Sequence, residues 1–365
     1  ASRPGLTPAE VREALQYLGN LTWKTSTDPD STHEKLLDVS RIGARGDFSV
    51  KAGGTVTLGR PGGSARFTVT LSRGTTSFER VRFSASGLPA GAKASFDPAS
   101  RYGFGSGSTT LTVTVPSGLS AGSYPITITG DEHGNHHAAS ATIVIETDVP
   151  VAHAPVVAPV ANAVLGTSTA PIRISWAAAH DPSTGIGGYE TGTSVDGAAY
   201  GSATAVGGSV RSRTTKETIG HTYQHRLRAK DSHGNWSPWV VGDRIGVSVV
   251  GERSAAVAYS GRWSRYVYSG AYGGTTAYAT AAGTKARLRF TGRAVALVAP
   301  TGPTRGSAAI WIDGVKKATV SFKTSSGHSR VLKFVTTFAS VGTHSIEVRP
   351  SGTGRVDLDT FVILR

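Results

Sequence analysis

The sequence predicts a mainly β chain: three tandem β-sandwich domains preceded by a short α-helical remnant. Two observations predict it. Runs such as SARFTVTL (64–71), STTLTVTV (108–115) and KARLRFTG (285–292) alternate apolar and polar residues, the period of a strand with one buried face. Turns rich in Gly, Pro and Ser separate such runs along most of the chain, and glycine supplies 46 of the 365 residues. A strong helical pattern is confined to the first twenty residues.

That helix comes first. In LTPAEVREAL, Thr7 is placed to cap, Pro8 fits the first helical position, and Glu10 closes a capping box. Val11, Ala14, Leu15 and Leu18 then make one apolar stripe, and Gly19 is placed as a left-handed terminator. The stripe needs a buried partner that residues 1–46 do not contain. With no Met at its start, the chain reads as a processed or truncated piece.

Residues 47–149 hold SARFTVTL, RVRFSAS, AKASFDP, STTLTVTV, YPITITG and SATIVIE, at the spacing of a sandwich. Residues 150–160, PVAHAPVVAPV, read as a semi-stiff linker, which favours an extended arrangement of domains. Residues 161–250 and 251–365 supply two further sets of strands, with IDG at 312–314 and SGTG at 351–354 as hairpin turns.

Composition narrows the chemistry. The absence of Cys excludes disulfides, thiolate catalysis and Cys-based metal sites. No apolar run approaches the ~18 residues of a membrane helix. Net charge is +14, and Lys+Arg minus Asp+Glu gives 6 − 6 for residues 1–46, 8 − 7 for 47–150, 8 − 6 for 151–250 and 16 − 5 for 251–365. The last segment therefore carries +11. A basic module favours anionic partners; the plainer reading is that the charge maintains solubility.

Several stretches resemble known families. GLPAGAKASFDPAS followed by STTLTVTVPSGLSAGSYPITITG resembles bacterial immunoglobulin-like domains. ISWAAAHD with Trp176, GYETGTSVDG and HTYQHRLRAKDSHGNWSPW resemble a fibronectin type III domain. That resemblance implies a tyrosine corner at Tyr223 and a common face for His225, Leu227 and Ala229. Thr191 and Thr193 depart from it, standing where bulkier apolar residues are common. YSGRWSRYVYSGAYGGTTAYATAAG, RLRFTGRAVALVAPTGPTRGSAAIWIDG and VGTHSIEV…VDLDTFVIL resemble a galactose-binding-like jelly roll of the carbohydrate-binding kind. Finally, SRPGLTPAEVREAL with WKTSTDPDSTHEKLLDVSRIG resembles the end of the catalytic domain of subtilisin-like serine proteases (subtilases). On that resemblance, 1–46 ends a catalytic domain and the helix stripe belongs to its core. No catalytic residue carries over, because Ser2, His33 and Asp38 match none of the family's catalytic motifs. The implied protein is the non-catalytic tail of a secreted, extracellular protease. Its expected partners are a polysaccharide, cell wall or other anionic polymer and the missing catalytic domain. Nucleic acid ranks behind these, and self-assembly of a structural or adhesive protein is the alternative.

The densest site candidate is RWSRYVYSGAYGGTTAY (262–278), where Arg262, Trp263, Arg265, Tyr266, Tyr268, Tyr272 and Tyr278 interleave, with Arg305 in GPTRG nearby in sequence. Aromatic faces stack on sugar rings, and guanidinium groups hold carboxylates, sulfates or phosphates. The same mix suits nucleic acid, and Trp263 is the residue best suited to fill a core instead. Lys316 and Lys317 add positive charge on a hairpin. DEHGNHH (131–137) offers metal-ligand types, but without zinc spacing it reads better as a polar hairpin tip. DSHGN (231–235) lacks the ligand series of a calcium loop and reads as a turn. Asp357 and Asp359 share a face of the last strand, where they suit calcium or a nearby Arg. Trp236 and Trp239 in NWSPW belong to a loop-to-strand turn, with at least one ring expected to pack on its domain. No cofactor and no metal site is assigned.

Overall fold

A computed structural model describes residues 46–365 except 75, 76, 78 and 104, together with Pro8, Arg12, Gly19–Asn20 and Leu36–Leu37. Pro8 and Arg12 are helical and exposed. The capping box, the apolar stripe and the remainder of the expected catalytic-domain segment lie outside the described residues. Gly19 departs from its expected role: it pairs with Leu37, and Asn20 with Leu36, in a short antiparallel ladder. Among the described residues the regular secondary structure is almost entirely strand, as the alternating runs predict. It divides into two compact units, Ala1–Asp148 and Val149–Arg365.

The first unit contains a β-sandwich. One sheet orders Thr55–Leu58, Asn135–Ile145, Gly122–Glu132, Val81–Ser86 and Ser100–Arg101; the other orders Phe48–Ala52, Ser64–Arg73, Gly107–Thr114 and Lys93–Asp97. Alternation decides which side chains face inward. Ala65, Phe67, Val69 and Leu71 from one sheet meet Ile126, Ile128, Ile143 and Ile145 from the other in a single core. Arg73 and Glu132 form a buried ion pair at 2.9 Å, with Ser77 bonded to both.

The second unit corrects the expected domain plan. Residues 150–160 do not form a free linker: Val156–Pro159 pairs with Thr169–Ser175, and Val151 bridges to His180. The boundary at 250/251 is crossed by one unbroken strand, Val240–Gly251. Its first part pairs with Thr222–Asp231 and its last part with Thr360–Leu364. The two halves, called fibronectin-like and jelly-roll only after the families their sequences resemble, therefore share a ten-stranded sheet. Its order is Thr204–Gly207, Ile186–Val195, Thr222–Asp231, Val240–Gly251, Thr360–Leu364, Lys285–Thr301, His328–Pro350, Ser307–Ile312 and Val315–Ser321, with Val257–Ser260 added on Lys285–Thr301. Two three-stranded sheets complete the halves: Val156–Pro159, Thr169–Ser175 and Ser212–Thr218 in the first, and Ser264–Val267, Thr275–Ala279 and Val356–Leu358 in the second.

A common core joins the halves. Leu165, Ala170, Ile172, Tyr223, Ile245 and Val247 from the first pack on Ala294, Ala296, Val298, Leu332, Val362 and Leu364 from the second. Each fully buried Leu, Ile or Val contributes about 1.5–3 kcal/mol, so this layer is a core and not a transient domain contact. Backbone bonds reinforce it: Leu332 N donates to Ala163 O at 2.9 Å, and Leu165 N to Arg330 O at 2.8 Å. Arg293 adds an ion pair to Asp243 across the seam.

The strand Lys285–Thr301 shows how sequence encodes this joint. Ala286, Leu288, Phe290, Val295, Leu297 and Ala299 point into the jelly-roll core. On the opposite face the chain starts with Lys285, Arg287 and Arg289, then changes to Ala294, Ala296 and Val298. The change falls at Gly292, where a Cβ would sit 2.6 Å from the Leu364 carbonyl oxygen. Charge lies where the face is wet, and small apolar residues lie where the other half covers it.

The fibronectin-like features are placed as the resemblance implies. Tyr223 donates its hydroxyl to Thr218 O at 3.1 Å, forming the corner, and His225, Leu227 and Ala229 are buried on its face. The departures at 191 and 193 serve a polar interior. Arg213 donates to Thr191 Oγ1 at 2.6 Å, and Thr193 Oγ1 bonds His225 Nδ1 at 3.0 Å. Trp176 is buried against Tyr189.

Candidate functional site

The predicted aromatic–arginine cluster is partly assembled and partly dispersed. Strand Ser264–Val267 runs antiparallel to Thr275–Ala279, which pairs with Val356–Leu358. This brings Tyr266 and Tyr278 beside Arg355, whose guanidinium carbon lies 4.7 and 3.9 Å from their ring centroids. Arg355 in turn reaches Asp357 at 2.6 Å, and Arg305 Nε lies 2.9 Å from the other carboxylate oxygen. Thr276 donates to Asp357 at 3.0 Å. The Asp357 side chain is wholly inaccessible. This box closes on itself: two guanidinium groups converge on one buried carboxylate, leaving a net charge of +1.

The other predicted residues have different tasks. Trp263 is half-buried on the jelly-roll core beside Tyr259, as its core reading expected. Tyr268 hydrogen-bonds Ser329 Oγ. Tyr272 packs on the core between the halves, and its N–H donates to Asp359 at 3.0 Å. Arg262 and Arg265 are exposed. Of the two partners offered for the final aspartates, Asp357 takes arginine. Asp359 is buried beside Glu252, and burial leads the causes that push its carboxyl up to about 7; the Tyr272 N–H opposes this and the Glu252 charge adds to it.

Sequence reading missed a basic sheet face. Lys285, Arg287 and Arg289 alternate outward along their strand. Register places Arg287 opposite Glu347, Glu347 opposite Trp311, and Trp311 opposite Lys316, so these residues share that face. Arg349 lies over the Trp311 ring at 3.9 Å and is held by Glu347 at 2.5 Å; Arg287 approaches Glu347 at 3.6 Å. Five cations thus share one sheet face with an indole, and Glu347 is the single carboxylate among these residues. The signal was present in KARLR and WIDGVKK, but cross-strand register was needed to join them. An open depression on the same strand is lined by Arg289, Phe290, Thr291, Thr343 and Arg365.

The two metal-like stretches are turns. At the 131–137 tip, His133 faces Glu79 at 2.9 Å, His136 faces Asp131 at 3.6 Å, and His137 faces Asp47 at 2.7 Å. The three imidazoles thus have different carboxylate partners. In DSHGN, Asp231 accepts the N–H groups of His233, Gly234 and Asn235, which lower its pKa against the opposing effect of burial.

No protein-family profile matches this chain, and no curated protein matches it. Solved structures similar in part include titin domains A168–A170, at 13% identity and TM-score 0.30 over 54% of this chain and 65% of that one. A chimeric titin Z1Z2 carrying a decorin peptide matches at 13% identity and TM-score 0.28, over 54% of this chain and 93% of that one. The VesB protease of Vibrio cholerae matches at 16% identity and TM-score 0.19, over 36% and 41%. At such scores the likeness carries no argument about activity. Among the described residues no helix is long and apolar enough to cross a membrane.

Proposed function

We propose that this chain is a non-catalytic accessory region of a secreted subtilisin-like serine protease, and that it holds the enzyme on an anionic extracellular polymer. The observation that carries the reading is the basic face around Trp311, with Lys285, Arg287, Arg289, Lys316 and Arg349 against Glu347. A polymer carrying carboxylates, sulfates or phosphates meets repeated cations there, and the indole offers a stacking surface for a sugar ring. Attachment raises the local concentration of a linked enzyme without new catalytic contacts. The protease parentage rests on the resemblance of residues 1–46, and the coding sequence upstream of Ala1 tests it.

Tethering is tested by retention on polyuronate or heparin beads, with uncharged cellulose as control. The wild-type chain is expected to bind the charged beads and to elute as the screening length falls from about 10 Å at 0.1 M salt to 3 Å at 1 M. Combining Lys285→Gln, Arg287→Gln, Arg289→Gln and Lys316→Gln is expected to lower affinity roughly tenfold or more. Equal retention on cellulose, or no effect of the four substitutions, overturns the reading. The competing reading is a structural or self-assembling protein. It draws support from edge strand Ser264–Val267, where Tyr266 and Val267 are 49% and 78% exposed. Concentration-dependent assembly that persists in high salt favours it.

A further inference from the structure

A second aromatic–cation assembly lies on the outer face of the fibronectin-like half. Arg226, Arg228 and Lys230 alternate along Thr222–Asp231, opposite Gly192, Glu190 and Gly188 on Ile186–Val195. Trp236 and Trp239 lie over this row, and Tyr200 lies at its start. The order is a ladder: Arg226 lies 4.2 Å from the Tyr200 ring centroid and 4.1 Å from Trp239; Arg228 lies 4.7 Å from Trp239 and 4.3 Å from Trp236; Lys230 lies 5.2 Å from Trp236. Gly192 leaves room here. A Cβ on it would come within 2.9 Å of Arg226 Nε, so a bare backbone lets the guanidinium lie flat.

The ladder is short of negative charge. Glu190 is spent on Arg228, whose Nε and Nη2 reach it at 2.9 and 2.6 Å. No carboxylate among the described residues forms an ion pair with Arg226 or Lys230, and Arg226 Nε is buried without an acceptor. Arg244, exposed opposite Gln224, adds a fourth cation on this face. Stacking spreads and orients cationic charge but supplies no counterion. A buried N–H donor without a partner is costly to keep; because Arg226 Nε is shut from solvent, an external oxyanion acts on the charge of the row and not by bonding this atom.

We propose that this ladder is a second oxyanion-binding surface, with the carboxylate or sulfate groups of an acidic polysaccharide as ligand and Arg226 as its anchor. The proposal extends the tethering reading and rests on it only for the class of polymer. The ladder and the basic sheet face lie on opposite faces of the shared sheet, because Tyr223, which faces away from the ladder, packs with Ala294, Ala296 and Val298, which continue the basic face; each surface therefore binds oxyanions on its own.

The test uses the full chain and heparin oligosaccharides, measured by calorimetry, in four proteins: wild type, the four-Gln sheet-face variant, Arg226→Gln, and the two combined. The sheet-face variant is expected to keep measurable binding that Arg226→Gln reduces at least roughly tenfold. Lys230→Gln, which leaves both Trp239 stacks in place, is expected to give a smaller loss with an unchanged melting temperature. Residual binding unaffected by Arg226→Gln and Lys230→Gln, or absent from the sheet-face variant, overturns the ladder proposal. Full binding by the sheet-face variant that falls with Arg226→Gln retains the ladder and removes the jelly-roll face instead. If Arg226→Gln alters only the melting temperature and Lys230→Gln alters nothing, the ladder is structural.

Discussion

The fibronectin-like half and the jelly-roll half each gather arginines and aromatic rings, but they place the countercharge differently. Around Asp357, two arginines close on a carboxylate that has no solvent access, and Tyr266 and Tyr278 cover one of them. Along the ladder, three cations are threaded between three rings and Glu190 neutralises one. The same residue types build a closed strut in one place and an open, charged surface in the other. The deciding feature is where the acid stands: at the centre and buried, or at the side and partly exposed.

The hardest blow to that contrast falls on Asp357. Asp357→Asn leaves Arg305 and Arg355 facing an uncharged amide in a buried site, and the expected cost is about 3–5 kcal/mol in urea unfolding. A loss below about 1 kcal/mol would place the box with ordinary surface pairs.

Titration sharpens the comparison, because a buried group in each half responds to pH with opposite sign. Burial, and then the charge of Arg213, lower His225 from the ordinary 6.5 to about 4. The unfolded chain therefore takes this proton first. The contribution of His225 is complete above pH 6.5 and is lost as pH falls toward 4, by roughly 3 kcal/mol at 1.36 kcal/mol per pH unit. Asp359 is raised from 3.8 to about 7, so its contribution is complete below pH 3.8 and is lost as pH rises to 7. In chelator-containing buffer, His225→Asn is expected to make stability rise steadily as pH falls from 7 to 4. Asp359→Asn is expected to make it fall over the same range. Identical pH profiles for wild type and both variants would refute the opposition.

The smallest effect belongs to Glu190. Its pair with Arg228 is partly exposed, 21% and 30% respectively, so Glu190→Gln is expected to cost about 1 kcal/mol or less in the same unfolding measurement. It also removes the ladder's carboxylate, so heparin affinity is expected to increase. A fall in affinity would mean that Glu190 orients the ladder more than it screens it.

How far this was legible depends on the distance over which a signal acts. Alternation in SARFTVTL and KARLRFTG is local, and it marked strands and their buried faces. Tyr223 was readable only through the fibronectin type III resemblance, which carries a local feature: the corner bond spans five residues. Asp357 and Tyr266 are far apart in the chain, so nothing local told whether the tyrosines would face a sugar or Arg355. The ladder was hidden in the same way: RLRAK and NWSPW were both visible, but their interleaving depends on a chain reversal at Asp231.

By itself the sequence determined the strand-rich class, the absence of thiol chemistry and the concentration of positive charge after residue 250, since these follow from period and composition. Tertiary structure alone decided that Val156–Pro159 is a sheet strand and that Val240–Gly251 serves two halves at once. It also decided which arginines are neutralised. Pairing partners and countercharges come from distant parts of the chain, and an alternating pattern records which face is buried without recording what buries it.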